Sequence, residues 1–149
     1  MSSALQVCGH TALVTGAGGG IGRACACQLA AAGVAVAAAD TREQAARDVV
    51  NEIADDVQRR AYRLDVRDAG SVAQVFEQAW HRQGPVDVLV NAAGLYPSDP
   101  LLQMSPDAWH RVLGTNLTGP HLCVTEFARR LVAAHRPGVV VNISSGAAR

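Results

Sequence analysis

The run Thr15-Gly16-Ala17-Gly18-Gly19-Gly20-Ile21-Gly22 stands between a short apolar segment, Thr11–Thr15, and a long alanine-rich one. Glycine clusters where the backbone takes φ > 0 or where a Cβ would block a close approach. A strand that turns sharply into a helix through such a run presents backbone N–H groups and the positive end of the helix dipole above the turn. The natural occupant of that position is a phosphate. The run therefore implies a strand–turn–helix unit and a phosphate-bearing ligand.

The rest of the chain repeats the unit. Thr11–Thr15 reads as a strand, Ile21–Ala32 as a helix ended by Gly33, and Val34–Ala39 as a strand stopping at Asp40. Arg42–Asp56 reads as a helix and Ala61–Leu64 as a strand. Ala69–Arg82 carries Val72, Val75, Phe76 and Ala79 at i, i+3, i+4 and i+7, the stripe of a half-buried helix. Val86–Val90 is a strand and Asn91–Pro106 a loop with several prolines. Pro106–Ala134 reads as one long helix and Val139–Ile143 as a fifth strand. Alternation with near-continuous apolar strands predicts an α/β fold, a parallel sheet covered by helices on both faces. Right-handed crossovers make it doubly wound, in the order 3-2-1-4-5, with a crevice above the carboxyl ends of strands 1 and 4. A chain of 149 residues is expected to form a single domain.

Composition narrows the partners. Formal net charge is zero and no basic stripe is visible, which argues against nucleic acid or an anionic membrane. All thirteen basic residues are arginine. No charged segment followed by an apolar one begins the chain, and the longest apolar run, Leu29–Ala39, is far too short to span a bilayer. Cys8, Cys25, Cys27 and Cys123 fit neither a disulfide framework nor metal-ligand spacing. The five histidines show no metal-like grouping, so no metal is expected. The expected location is cytoplasmic.

The glycine spacing is T-G-x-x-x-G-I-G rather than G-x-G-x-x-G, and here the chain resembles the short-chain dehydrogenase/reductase family. Further marks follow in order: Asp40 after strand 2, Leu64-Asp65-Val66 after strand 3, and Asn91-Ala92-Ala93-Gly94 after strand 4. Asn116 lies in the long helix, and Asn142-Ile143-Ser144-Ser145 closes strand 5. The resemblance covers essentially the whole chain. It implies a Rossmann fold and hydride transfer between a nicotinamide cofactor and an alcohol or ketone. It also implies an oligomer, with the long helix as a subunit contact, if the chain is complete.

On this resemblance Thr15, Gly16, Gly18, Gly20, Ile21 and Gly22 hold the cofactor's phosphates. Asp40 has two readings, a cap for the next helix and an acceptor for the adenosine ribose hydroxyls. In the second it also opposes a 2′-phosphate. Two unit charges ~4 Å apart repel by about 4 kcal/mol at an effective dielectric near 20. Half of that still favours NAD over NADP more than tenfold, although Arg42 stands close by. Asp65 and Val66 correspond to the family's adenine contacts, the carboxylate accepting from the exocyclic amine; a helix cap is the alternative for Asp65. Asn91 reads as a strand cross-link beside the site, and the Ala92-Ala93-Gly94 backbone as cofactor lining.

Asn116 falls among Trp109, Val112, Leu113, Cys123 and Phe127, so an amide is expected on a buried helix face, where it needs partners. Pro120, four residues on, has no N–H for the Asn116 carbonyl. A kink is expected, opening that carbonyl, which in the family holds a water of a proton relay. Ser145 corresponds to the catalytic serine, which hydrogen-bonds the substrate oxygen.

The family's reaction also needs a Tyr as acid/base and a Lys four residues later. The only tyrosines are Tyr62 and Tyr96, and lysine is absent. A general acid/base supplies about 10²–10⁴ in rate, so the 149-residue chain is expected to be inactive alone. Val139–Val141 and Ile143 are apolar on both faces, as in a central strand, yet would form a sheet edge. A C-terminally incomplete domain lacking its last strands is therefore expected. Two functions stay open: the cofactor-binding portion of an oxidoreductase, and a non-catalytic dinucleotide-binding or interaction protein.

Overall fold

The computed structural model describes residues 11–53, 57–97 and 100–145. Cys8 and the expected end of the second helix at Asp56 lie outside the described residues.

Five parallel strands form one sheet: β1 Thr11–Thr15, β2 Ala35–Asp40, β3 Arg59–Arg63, β4 Val88–Asn91 and β5 Val139–Asn142. Their order is β3-β2-β1-β4-β5, as expected. Consecutive β1 residues serve opposite faces, and all five are buried. Ala12 and Val14 enter a core with Ala26 and Ala30 of helix α1 (Gly20–Ala31) and Ala46 and Val49 of helix α2 (Glu43–Glu52). Leu13 enters the opposite core, with Val72, Val75 and Phe76 of α3 (Ala69–Gln83) and Cys123 and Phe127 of α5 (Gly119–Ala133). Covering both faces is what makes the strand sequences uniformly apolar. Burial pushes the Cys123 thiol up to about 12, so it behaves as a small apolar group.

Registers align the strand ends. Thr15 stands beside Ala39 and Asn91, and Asn91 beside Asn142. The segments that follow β1, β2, β4 and β5 therefore emerge at one level of the sheet. Local signals set the helix starts: Asp68 caps α3 by accepting from the Gly70 N–H at 3.0 Å. Ser105 caps α4 (Pro106–Leu113), with Pro106 at its first position.

The expected single helix from Pro106 to Ala134 is interrupted. Between α4 and α5 lies a π-turn, Gly114–Thr118, closed by the Gly119 N–H on the Gly114 carbonyl. Pro120 removes the N–H that would pair with the Asn116 carbonyl in an α-helix, and a widened turn absorbs the mismatch. The break also re-aims side chains. Cys123 and Phe127 are buried as expected, whereas Trp109 and Leu113 are 50% and 36% exposed. Asn116 is exposed too, not on a buried face.

Strand β5 pairs with β4 alone among the described residues, and Val139, Val140 and Val141 all stand exposed.

Two glycines of the first turn test this packing. A Cβ at Gly22 would run into the Gly16 carbonyl, whereas one at Gly19 would meet nothing within 4 Å. Overpacking costs about 1–3 kcal/mol, against a gain of about 1 kcal/mol for Ala over Gly in a helix. Gly22→Ala should therefore lower the urea midpoint further than Gly19→Ala, which meets no clash and only puts a poorer residue at the N-cap. A Gly22→Ala variant as stable as the parent would show that α1 does not rest on this turn.

Candidate functional site

The carboxyl ends of β1 and β4 are clipped together. The Thr15 hydroxyl accepts from the Ala92 and Ala93 N–H groups, both at 3.2 Å. Gly16, at φ +65°, lies so close to the β4 turn that a Cβ there would stand 2.7 Å from Ala93 Cα. The Ala17 N–H donates to the Ala39 carbonyl at 3.0 Å, tying the same turn to β2.

Helix α1 then begins at Gly20 without a side-chain cap, its cap residue being Gly19, and without an acidic residue in its first turn. Four N–H groups at a helix start need partners outside the helix. Beside them a Cβ at Gly20, where φ is +49°, would meet no protein atom within 4 Å. An uncapped positive helix end facing open space fits a phosphate group.

Asp40 is bound into this turn. Its Oδ2 accepts from the Gly18 N–H at 3.0 Å and its Oδ1 from the Arg42 N–H at 2.9 Å. The side chain is only 13% exposed, and the Arg42 Nε lies 3.9 Å from Oδ1. The carboxylate thus organises the entrance to α2 and still borders a groove of about 540 Å³ that runs past Gly16, Asp65, Val66, Gly94 and Thr115.

At the far wall of that groove, Asp65 is engaged by Arg67. Oδ1 accepts from the Arg67 Nε and N–H at 2.9 and 3.0 Å, and Oδ2 from Nη2 at 2.6 Å. The guanidinium beside it holds the Asp65 carboxyl below the usual carboxylate range. Asp65 does not cap α3; that role falls to Asp68. The Val66 side chain is buried against Gly119, where a Cβ would come within 2.6 Å of Cγ2.

At the β4–β5 end, the Asn91 Nδ2 donates to Asn142 Oδ1 at 2.9 Å, cross-linking the strands. Asn91 Oδ1 is buried without a hydrogen-bond partner among the described residues. The exposed Asn116 amide holds the loop after Gly94 by two bonds: Oδ1 accepts from the Leu95 N–H at 2.8 Å, and Nδ2 donates to the Leu95 carbonyl at 2.9 Å. An amide expected to be buried in the helix therefore works at the surface as a loop clamp. Ser144 and Ser145 follow β5 and are exposed.

The groove brings together Gly16, Asp40, Asp65, Val66, Ala93 and Gly94. Ile21 is exposed at the start of α1, and Asn91 and Ala92 close the end of β4. Tyr62 lies away from these positions, buried in β3 with its hydroxyl donating to Gln83 Oε1 at 3.0 Å. Sequence reasoning missed Arg67, whose spacing of two from Asp65 was the available signal. No group of three potential metal ligands occurs among the described residues, and no helix there is long and apolar enough to cross a membrane.

Comparison with known proteins accords with this geometry. The family profile described as short chain dehydrogenase matches residues 10–149. The chain is 39% identical over 154 residues to a (3R)-3-hydroxyacyl-CoA dehydrogenase of Canis lupus familiaris, a match covering 97% of this chain and 60% of that protein. It is 33% identical over 152 residues to the short chain dehydrogenase/reductase dpmpG of Macrophomina phaseolina, covering 99% of this chain and 87% of that protein. A crystal structure of a short-chain type dehydrogenase/reductase from Mycobacterium marinum superposes with a TM-score of 0.87 at 31% identity, covering 91% of this chain and 54% of the other. The chain thus spans about 60% of the length of the first of these relatives.

The Asp65–Arg67 pair carries a pH signature. A carboxyl whose folded pKa is depressed adds stability above its unfolded pKa and loses it as pH falls through the folded value. Both side chains are over one-third exposed, which limits the effect to below about 1 kcal/mol. Unfolding free energies of the parent and Arg67→Ala should differ near neutrality and converge in acid. A gap that persists at low pH would mean that Arg67 stabilises by packing instead.

Proposed function

The chain belongs to the short-chain dehydrogenase/reductase family, and we propose that it seats NAD as the cofactor-binding portion of an alcohol or ketone oxidoreductase. The observation that carries this reading is the uncapped start of α1 opening beside Asp40. Gly20, Ile21 and Gly22 would cradle the pyrophosphate with backbone N–H groups and the helix dipole, while Thr15 and Gly16 hold that turn against β4 and Gly18 ties it to Asp40. Asp40 would accept from the adenosine ribose hydroxyls, Asp65 and Val66 would border the adenine, and Asn91 with the Ala92-Ala93-Gly94 backbone would line the path toward the nicotinamide. When bound, the nicotinamide supplies or accepts the hydride.

Asp40 favours NAD over NADP, because a 2′-phosphate would meet a sheltered carboxylate. Arg42 offsets that repulsion only weakly, being 76% exposed and 3.9 Å from it.

Ser145 would hydrogen-bond the substrate oxygen. Asn116 would act through its backbone at the π-turn, where Pro120 leaves the carbonyl without its α-helical donor. Its side chain would keep the Gly94–Leu95 segment against that turn. The residues described here bind and orient; the proton-transferring Tyr and the Lys of the family have no counterpart among the 149 residues. The hydroxyacyl-CoA dehydrogenase relative supports a hydroxyl or ketone substrate. A non-catalytic dinucleotide-binding or interaction protein is the second reading, in which a partner covers the exposed valines of β5. A cytoplasmic location is part of this proposal, and the exposed Trp109 and Leu113 suit assembly into a homo-oligomer.

Titration calorimetry on the 149-residue chain should show NAD binding more than tenfold tighter than NADP, with Asp40→Ser collapsing the ratio toward unity. Equal affinity in the parent would sink the NAD assignment. The same chain should show no NADH oxidation with ketone substrates; measurable turnover would mean that another group takes the place of the Tyr–Lys pair.

A further inference from the structure

We propose that the outer edge of β3 is a docking site for an extended acidic segment of a partner protein, which adds to the sheet as a further strand among arginines of α2, β3 and α3.

β3 ends the sheet, paired with β2 alone among the described residues. In a parallel ladder, alternate residues of a strand turn both backbone groups toward the same neighbour. The bonds at the two ends of β3 fix the phase. The Gln58 carbonyl accepts from the Val36 N–H at 2.8 Å, and the Leu64 N–H donates to the Asp40 carbonyl at 2.9 Å. Even-numbered residues therefore face β2, while Ala61 and Arg63 direct their N–H and carbonyl groups outward. An edge of this kind accepts a peptide as an added strand.

The sequence shows no basic stripe, yet folding gathers one here from three separate segments. Two adjoining hollows, of about 540 and 880 Å³, lie along the edge and share Arg47, Ala61 and Arg82. Tyr62 enters the core under α3, and Ala61 packs toward α1 and α2. Side-chain alternation then puts Arg60 on the α3 side, with Arg82, and Arg63 on the α2 side, with Arg47. Burial pushes the Tyr62 hydroxyl up, and Arg60 and Arg82 both pull it back, so two guanidiniums from different elements surround one point. The acids of the hollows are already engaged: Glu43 accepts from Arg47, Asp65 from Arg67, and Asp68 from the Gly70 N–H. Arg60, Arg63 and Arg82 are exposed and make no hydrogen bond or ion pair among the described residues. Charge on an edge strand also keeps copies of a chain apart. That accounts for Arg60 and Arg63 but not for Arg82, which a helix contributes. Two β3 edges side by side would set like charges together, whereas an added strand with carboxylates on both of its faces meets arginine on each.

Fluorescence anisotropy with the labelled peptide Glu-Val-Glu-Glu-Val-Glu tests this. The unaltered chain should bind it, and amide hydrogen exchange across β3 should slow when it does. The same peptide with lysines for glutamates should not bind. With prolines for valines it keeps its charge but loses donors that a strand needs, and affinity should fall at least about tenfold. The double variant Arg60→Glu, Arg82→Glu should also bind the glutamate peptide at least about tenfold more weakly, two attractions having become repulsions. Its thermal midpoint should match the parent, since both side chains are exposed and without partners. Equal binding of the proline peptide would reduce the surface to charge alone and overturn strand addition. Undiminished binding by the double variant, or none by the unaltered chain, would overturn the site. So would tighter binding of a single-stranded oligonucleotide of the same charge, or self-association of the parent that the variant loses. Neither arginine lines the groove beside Asp40, so every one of these outcomes is independent of the cofactor reading.

Discussion

The close approach of the first turn to the end of β4 is the contact on which the other features depend. Gly16 lies where a Cβ would stand 2.7 Å from Ala93 Cα, and the Thr15 hydroxyl takes both N–H groups of the Ala92–Ala93 segment. These bonds satisfy backbone donors just where β4 leaves the sheet and its ladder partners end. They also set the level at which α1 starts, since Gly22 packs onto the carbonyl of Gly16. The opening at the helix end and the wall of the groove are thus two sides of one contact. Moving Gly16 away from Ala93 would shift both.

Much of the fold was legible because the sheet is covered on both faces. Fully buried parallel strands must be continuously apolar, so β1, β2 and β4 announce themselves, and a glycine-rich turn separates β1 from its helix. Strand order followed from connection rules and not from any residue. The edge strand β3 was harder to delimit, because Arg59 and Arg60 carry charge at its start; on a strand paired on one side Arg60 stays exposed, while Arg59 turns back to donate to the Val50 carbonyl at 2.9 Å. At the site, Asp40 showed as a lone carboxylate at a strand end, but its dual hold on Gly18 and Arg42 depends on a packing of α2 against the turn that spacing does not reveal.

The π-turn explains where sequence reading went astray. Helical periodicity assumes a constant angle per residue, and one widened turn shifts every later position relative to every earlier one. Cys123 and Phe127, after the turn, keep the buried face, while Trp109 and Leu113, before it, do not. Asn116 lies inside the turn, so neither register applies to it. Its amide faces the Leu95 peptide instead of a core, and forms there the two complementary bonds a primary amide can make with one residue. Pro120 was the visible cause of the break; the size of the resulting rotation was not encoded in any one residue.

The groove and the β5 edge of the sheet differ in what holds them. The part of the groove proposed for adenosine is built on β1, β2 and the segment after β3, each tied down by internal bonds: Asp40 to Gly18, Asp65 to Arg67, and the Asp65 N–H to the Ser71 hydroxyl at 3.1 Å. Beyond the groove stands β5, the least covered strand, whose three valines are 36–50% exposed. Ser145 follows that strand, joined to the rest through the Asn91–Asn142 amide pair and the ladder with β4. Binding a dinucleotide tolerates small displacements because its contacts are many and spread along the groove. Hydrogen-bonding a reacting oxygen does not, since a displacement of about 1 Å can cost roughly a hundredfold in rate. On the proposed reading, in which Ser145 bonds the substrate oxygen, a covering of the outer edge of β5 would therefore bear on chemistry far more than on cofactor affinity, and the two properties are separable by the physics of the sheet itself.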